Sequence, residues 1–241
     1  MKQAIIAHQF GKVIMFNGFS KKGLKFMAQV RKNNSKEWFE AHKHEYEKEI
    51  LEPGRRFVVE MGEHLQALVP TINAIPKVNG SLFRIYRDSR FHRVDPIKTH
   101  IGFVFWQGWG KRMQSAYFYM HFDADTLLFA AGMRRFKPQM LATYRDYIKD
   151  EKHRESLHNI LQSLKAKGYR LPEQRYVRYP RGFNAEMPHA YLSLFNCMYA
   201  FTTQKAEKEF FTEELPVKAY DIYEDMFDLQ QWVYEMTLTV E

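Results

Sequence analysis

Cysteine occurs once in 241 residues, as Cys197. It has no partner for an intramolecular disulfide and no Cys or His beside it at zinc-ligand spacing, which argues for a reducing compartment, the cytoplasm, and against a zinc module. A chain of this length can bury about 70 % of its unfolded surface, so it needs neither staple. Signal-peptide character is also missing: MKQAIIAHQFGKVIMF is interrupted by His8 and Lys12 before an apolar run develops, and export is not expected. The nearest approach to a membrane span, residues 187–204, is free of Lys, Arg, Asp and Glu but contains Pro188, His189, Ser193, Asn196, Thr202 and Thr203. It reads as a buried helix-to-strand passage, and no membrane association is expected. Repeats, low-complexity tracts and Gly/Ser linkers are absent, so residues 1–241 are expected to form a single domain. No P-loop, GxGxxG, nucleophile elbow or HExxH pattern occurs, and neither cofactor nor metal is assigned on sequence.

Charge is plentiful and uneven. The 36 Lys and Arg against 28 Asp and Glu give a net charge of +8, with an isoelectric point near 9.4. Residues 77–112 hold eight Lys/Arg against Asp88 and Asp95, and residues 165–182 hold six against Glu173. Residues 205–241 run the other way, with three Lys against ten acids. Two basic segments that met in space would make a polarised surface attracting anions.

Hydrophobic spacing reads as helices, then strands, then helices. Ser20 is placed to cap a short helix with Leu24, Met27 and Val30 inside. Asn34 or Ser35 caps a second, whose stripe of Trp38, His42, Tyr46 and Ile50 is packing, with His42 a core histidine. Beyond Pro53 the stripe continues through Phe57, Met61, Leu65 and Leu68 as far as Pro70. From Leu82 the period becomes two: Phe83 and Ile85 alternate with Arg84, Tyr86 and Asp88. Ile101, Phe103 and Phe105 alternate with His100, Gly102 and Val104, and Phe118, Met120 and Phe122 with Tyr117, Tyr119, His121 and Asp123. Residues 127–133 make a fourth run and 196–203 a later addition. These runs predict an antiparallel meander with one apolar and one polar face, followed by helices over 138–149, 152–167, 187–195 and 216–239. The fold class is α+β: an antiparallel β-sheet with helices before and after it packed on one face. In the C-terminal helix, about 216–240, Ile222, Met226, Leu229, Val233, Met236 and Val240 form one apolar seam. Such a stripe more often packs internally than dimerises, so the chain is expected to be a monomer, or a homodimer through this helix.

Two motifs carry a family resemblance. Phe16-Asn17-Gly18-Phe19-Ser20 with Asn33-Asn34-Ser35-Lys36-Glu37-Trp38-Phe39, and Arg84-Ile85-Tyr86-Arg87-Asp88-Ser89-Arg90-Phe91, resemble the bacterial family called domain of unknown function 2461 over about residues 16–211. The resemblance implies an α+β fold and a cytoplasmic setting, and brings no activity with it.

The residues themselves supply the functional candidates. If the register holds, Arg84, Tyr86 and Asp88 share the polar sheet face with His100, Tyr119, His121 and Asp123. Arginine bonds two oxygens of a phosphate or carboxylate at once, so an anionic small molecule held by Arg84, Tyr86, Arg87, Arg90 and Lys98, with Arg178 and Arg181 from the second basic segment, is the leading expectation. The structural alternative is a solvated face whose charges pair for little energy. A second function class is a hydrolase or transferase with His121 or His100 as base, oriented by Asp88 or Asp123. A third is nucleic-acid binding, for which aromatics lie among the basic residues: Phe83, Tyr86, Phe91, Trp106 and Trp109, then Tyr169, Tyr176, Tyr179 and Phe183. Basic charge alone would give only weak, salt-sensitive binding. Cys197, within an apolar run, reads as a core residue and not as a nucleophile.

Overall fold

The computed structural model describes residues 15–88, 90 and 94–239. Most of the N-terminal stretch weighed against export, the motif residues Ser89 and Phe91, and the last seam position Val240 lie outside them. Helix α1, Lys21–Lys32, starts where Ser20 Oγ accepts the Gly23 N–H at 2.9 Å. Helix α2, Lys36–Ala41, starts at Ser35, whose Oγ accepts the Trp38 N–H. From α3, Lys43–Tyr46, the chain stays helical through a π-helical turn, Glu47–Leu51, into α4, Glu52–Gln66. Pro53 lies in the first turn of α4, where the π-helical turn passes into the α-helix.

Five strands follow the meander order β1-β2-β3-β4-β5, every pair antiparallel. They are β1 (Ile72–Asn73), β2 (Ile101–Gln107), β3 (Tyr117–Phe122), β4 (Thr126–Met133) and, after two helices, β5 (Met198–Lys205). The alternation read from sequence puts Phe103, Phe105, Phe118, Met120, Phe122 and Phe129 on one face, all fully buried. Phe57 of α4 meets Phe103 edge-on at 5.3 Å. Tyr223 of α7 (Leu215–Asp225) lies 5.0 Å from Phe118. Helices α5 (Pro138–Tyr147), α6 (Glu151–Ala166) and α8 (Phe227–Leu238) complete the layer. The fold is thus an antiparallel sheet with helices from both flanks of the sequence on its apolar face.

Three expectations need correction. Residues 82–88 form no strand of the sheet. Only Leu82 bridges to Phe103; beyond Phe83 the chain leaves β2 and pairs with its own return, Tyr86 against Ile97, as an arm. Residues 187–195 are not an α-helix, because His189 sits in the left-handed region at φ 58° and only the short 3-10 turn Ala190–Leu194 follows. The single C-terminal helix is two, α7 and α8, parted at Met226. The break lets α7 pack against α4 and β4, and α8 against β4, β5, α5 and α6. The seam residues Met226, Leu229, Val233 and Met236 are fully buried and Ile222 is half-buried, so the chain's own core uses the stripe that a homodimer would have needed. Among the described residues no helix is long and apolar enough to cross a membrane.

Candidate functional site

The second sheet face is formed by the alternate set of positions. Register places Gly102, His121, Leu128 and Thr203 in one row, Val104, Tyr119, Ala130 and Phe201 in the next, and Trp106, Tyr117, Gly132 and Tyr199 in a third. Helices leave this face to the arm and to loops, and Tyr119, His121, Leu128, Tyr199 and Phe201 stay half-buried.

The arm docks through the two motifs on which the resemblance rests. The Asn34 side chain donates to the Ile97 carbonyl and accepts the Ile97 N–H, both at 2.9 Å, like one rung of a strand. Ser35 caps the helix, which frees Asn34 for this clamp. Tyr86 packs edge-on against Phe39 and donates its hydroxyl to Glu40; burial and this carboxylate push the phenol up to about 12. Tyr86 therefore belongs to the α2 contact and does not share an open face with Arg84.

Where the arm meets β2, several cations gather. Lys98 Nζ donates to the Arg84 carbonyl at 2.7 Å and lies 5.5 Å from the Phe83 ring centre. Arg112 stacks its guanidinium 4.5 Å over the same ring and donates to the Gly80 carbonyl. Arg87 donates through Nε to the Ile97 carbonyl. Burial, and then the charges of Arg84, Arg112 and Arg87, lower the Lys98 pKa. Among the described residues none of these four cations lies within ion-pair distance of a carboxylate and Arg84 makes no side-chain hydrogen bond, although the Arg84 charge acts on nearby Asp88. Beside them the rings of His100 and His121 lie 4.9 Å apart. Burial holds His100 down at about 4, with His121 and Lys98 adding to the effect. Burial also lowers His121, against the pull of Asp123. The His121 Nδ1 is paired with the Tyr119 hydroxyl at 3.2 Å.

Other predicted site residues have different employment. Asp88 is held by Arg90, Oδ2 to Nη2 at 2.6 Å, so neither is free for a ligand or an imidazole. Asp123 builds the β3–β4 turn, accepting from the Asp125 and Thr126 N–H groups at 2.8 and 2.7 Å. Burial raises its pKa, but those bonds outweigh burial and keep it low. Neither carboxylate is hydrogen-bonded to a histidine among the described residues. Arg178 and Arg181 are exposed on the loop after α6. That loop is anchored beside α5, by Tyr176 under Arg145 and by Arg175 and Tyr176 N–H groups on the Leu194 carbonyl, so the two basic segments do not merge. Among the described residues no group of three or more His, Cys, Asp and Glu could hold a metal ion.

Sequence reading passed over Arg112 and Arg134. Arg134 follows Ala130 and Gly132 at the period of β4 and overhangs the same face; its charge acts on Tyr117, Tyr119, His121 and Tyr199. Extending the alternation two residues past Gly132 would have found it. A half-open groove of about 390 Å³ lies elsewhere, between α1 and the π-helical stretch, lined by Lys22, Lys25, His44, Lys48 and Glu49 over Phe26. None of the predicted site residues lines it.

A family model described as "Conserved hypothetical protein (DUF2461)" matches residues 22–232. The chain belongs to this family. The match runs further toward the C-terminus than the resemblance over 16–211, taking in α7 and half of α8. No curated protein matches the chain, and no solved structure does.

Proposed function

We propose that this member of the family is a cytoplasmic protein that binds an anionic small molecule, phosphate- or carboxylate-bearing, at the junction of the arm with β2 and β3. The observation that carries the reading is the gathering of Lys98, Arg84, Arg87 and Arg112 beside two neutral imidazoles, with no carboxylate ion-paired to any of the four cations. Crowded cations that no carboxylate pairs directly destabilise one another, and an anion relieves that repulsion. Arginine forks and a lysine point charge are the groups suited to its oxygens. Arg90, Tyr86, Arg178 and Arg181 drop out of the ligand set, each being engaged or placed elsewhere. The buried seam of α7 and α8 favours a monomer, and the lone buried Cys197 fits a reducing compartment. The hydrolase or transferase reading draws less support, since Asp88 and Asp123 spend their oxygens on Arg90 and on a turn.

Calorimetric titration with inorganic phosphate, sulfate and acetate tests this. Binding is expected to weaken with salt, and sulfate binding to strengthen as pH falls from about 6 toward 4, because a bound anion raises the depressed His100 pKa and the complex takes up a proton there. Lys98→Ala should weaken binding about tenfold or more, while Arg178→Ala leaves it unchanged. Indifference to all three anions sinks the reading.

A further inference from the structure

The second basic segment, left out of the anion site, carries two rings that the fold leaves uncovered. Of the aromatics that lie among basic residues, Trp106 and Phe183 are buried and Tyr169 gives its hydroxyl to Asp225. Phe83 lies under Arg112, and Tyr86 is bound to Glu40. Trp109 is uncovered and belongs to the β2–β3 connection. Tyr176 and Tyr179 keep 37 % and 38 % of their surface, and Val177 between them keeps 94 %. They stand in the run Arg175-Tyr176-Val177-Arg178-Tyr179-Pro180-Arg181, where each tyrosine follows an arginine and the pair recurs after three residues. Residues 173–179 are exposed without a break. A solvated turn favours Gly, Pro, Asn, Asp and Ser, whereas arginine and tyrosine are the residues of an interface.

The loop is pinned at both ends and presents these side chains from a fixed base. Before it, Arg170 pairs with Phe201 of β5, and the Arg175 and Tyr176 N–H groups share the Leu194 carbonyl at 3.0 and 2.9 Å. After it, Phe183 is buried, and the Asn184 side chain accepts the N–H groups of Glu186 and Met187, each at 3.0 Å. Helix α5 adds charge beside it. Arg145 lies 4.7 Å from the Tyr176 ring centre, and Lys149 reaches Gly182, its Cε 3.5 Å from where a Cβ would stand. Lys149 is paired with Asp146. Among the described residues no carboxylate lies within ion-pair distance of Arg145, Arg175, Arg178 or Arg181, and Glu173 is the one acid between residues 165 and 182.

We propose that the loop 175–181, with Arg145 beside it, is a binding surface for single-stranded nucleic acid, separate from the anion site at Lys98. Arginines that no carboxylate pairs meet the phosphates, and exposed rings set among them give unpaired bases a surface to stack on, whatever their sequence. The Arg145–Tyr176 contact is the same guanidinium-on-ring stacking that a base would extend. The make-up of the surface disfavours a protein partner: protein interfaces centre on an apolar core depleted of charge, whereas Val177 is the lone aliphatic side chain exposed among three arginines. A duplex keeps its bases stacked on one another and offers the tyrosines no base faces.

Fluorescence anisotropy of the full-length protein with a labelled oligothymidylate of about twelve nucleotides tests this. Binding is expected at about 50 mM salt, and log K should fall against log salt with a slope near −3, about 0.7 for each of the four arginines. Arg178→Ala combined with Arg181→Ala should weaken binding about tenfold or more and flatten the slope to about half. Tyr179→Ala should weaken it about fivefold or more and leave the slope unchanged, because stacking releases no counterions. Lys98→Ala should change neither affinity nor slope. Polyglutamate, and the same oligonucleotide paired with its complement, should each displace the probe about tenfold less well than the unlabelled strand. Absence of binding at low salt overturns the proposal, as does an affinity that the double arginine variant or Tyr179→Ala leaves unmoved. Loss of binding in Lys98→Ala moves the strand to the arm and overturns the assignment to this loop. Equal displacement by polyglutamate assigns the loop to an acidic protein instead, and equal displacement by the duplex overturns the preference for a single strand.

Discussion

Single residues on the second face are chosen for what lies within a few ångströms of them. Gly132 has φ +118°, and a Cβ built there would sit 2.3 Å from the Met198 carbonyl of β5. Both the backbone conformation and the contact exclude a side chain, so Gly132→Ala should lower the unfolding free energy by about 3 kcal/mol or more. Urea denaturation measures it; a loss under about 1 kcal/mol would show that β4 and β5 separate easily at this point. Residue type alone foretold little of this. Asp88 and Asp123 were legible as carboxylates near histidines, but which donors their oxygens accept depends on turn geometry, and in both cases N–H groups two or three residues away reach them first. Tyr86 likewise read as a polar-face residue until Glu40, 46 positions distant, appeared beside its hydroxyl.

At the scale of elements, the arm formed by residues 83–98 organises the site. It has few bonds to the sheet, and it is fixed to the α1–α2 junction by the Asn34 clamp and by Tyr86 on Phe39. Asn34→Ala removes two hydrogen bonds and should cost about 2 kcal/mol locally. The helices should persist, because Ser35 provides the cap. Hydrogen exchange reads this directly: the Ile97 and Lys98 amides should exchange at least tenfold faster while those of α1 and α2 hold. Unchanged protection at Ile97 would mean that the arm is held by something other than this clamp. Helix starts at Ser20 and Ser35 were readable because capping is decided within three or four residues. The break at Met226 was not: no Gly or Pro marks it.

For the whole molecule, the neutral half-buried histidines set a pH dependence. In the unfolded chain His100 takes a proton near pH 6.5, whereas in the folded chain it does so only near pH 4, because burial and neighbouring cations oppose the charge. Between these values the unfolded state holds more protons, so stability rises with pH across that window and is lost as pH falls through it. His121 and His158, also lowered chiefly by burial, act in the same sense. Chemical denaturation from pH 7 to pH 4 should show a fall on the order of 2 kcal/mol attributable to His100. His100→Asn should flatten that part of the curve, and an unflattened curve would place the proton uptake elsewhere. Asp123, held low by its turn, contributes only below about pH 4.

What the sequence by itself determined was the α+β class, the meander of β2, β3 and β4, the burial of alternate residues and most helix starts. Each of these is a property of spacing over a few residues, and an apolar period of 2 or 3.6 leaves one side of an element no place but the core. Only the tertiary structure decided that the period-two run at 83–88 pairs with its own return and not with the sheet, since alternation fixes which side is buried but not which neighbour supplies the hydrogen bonds. The same holds for the charges. Eight basic residues between 77 and 112 were visible as a count, but the gathering of Arg84, Arg87 and Arg112 at Lys98, and the absence of Arg178 and Arg181 from it, depend on contacts between segments far apart in the chain. No local pattern encodes those contacts.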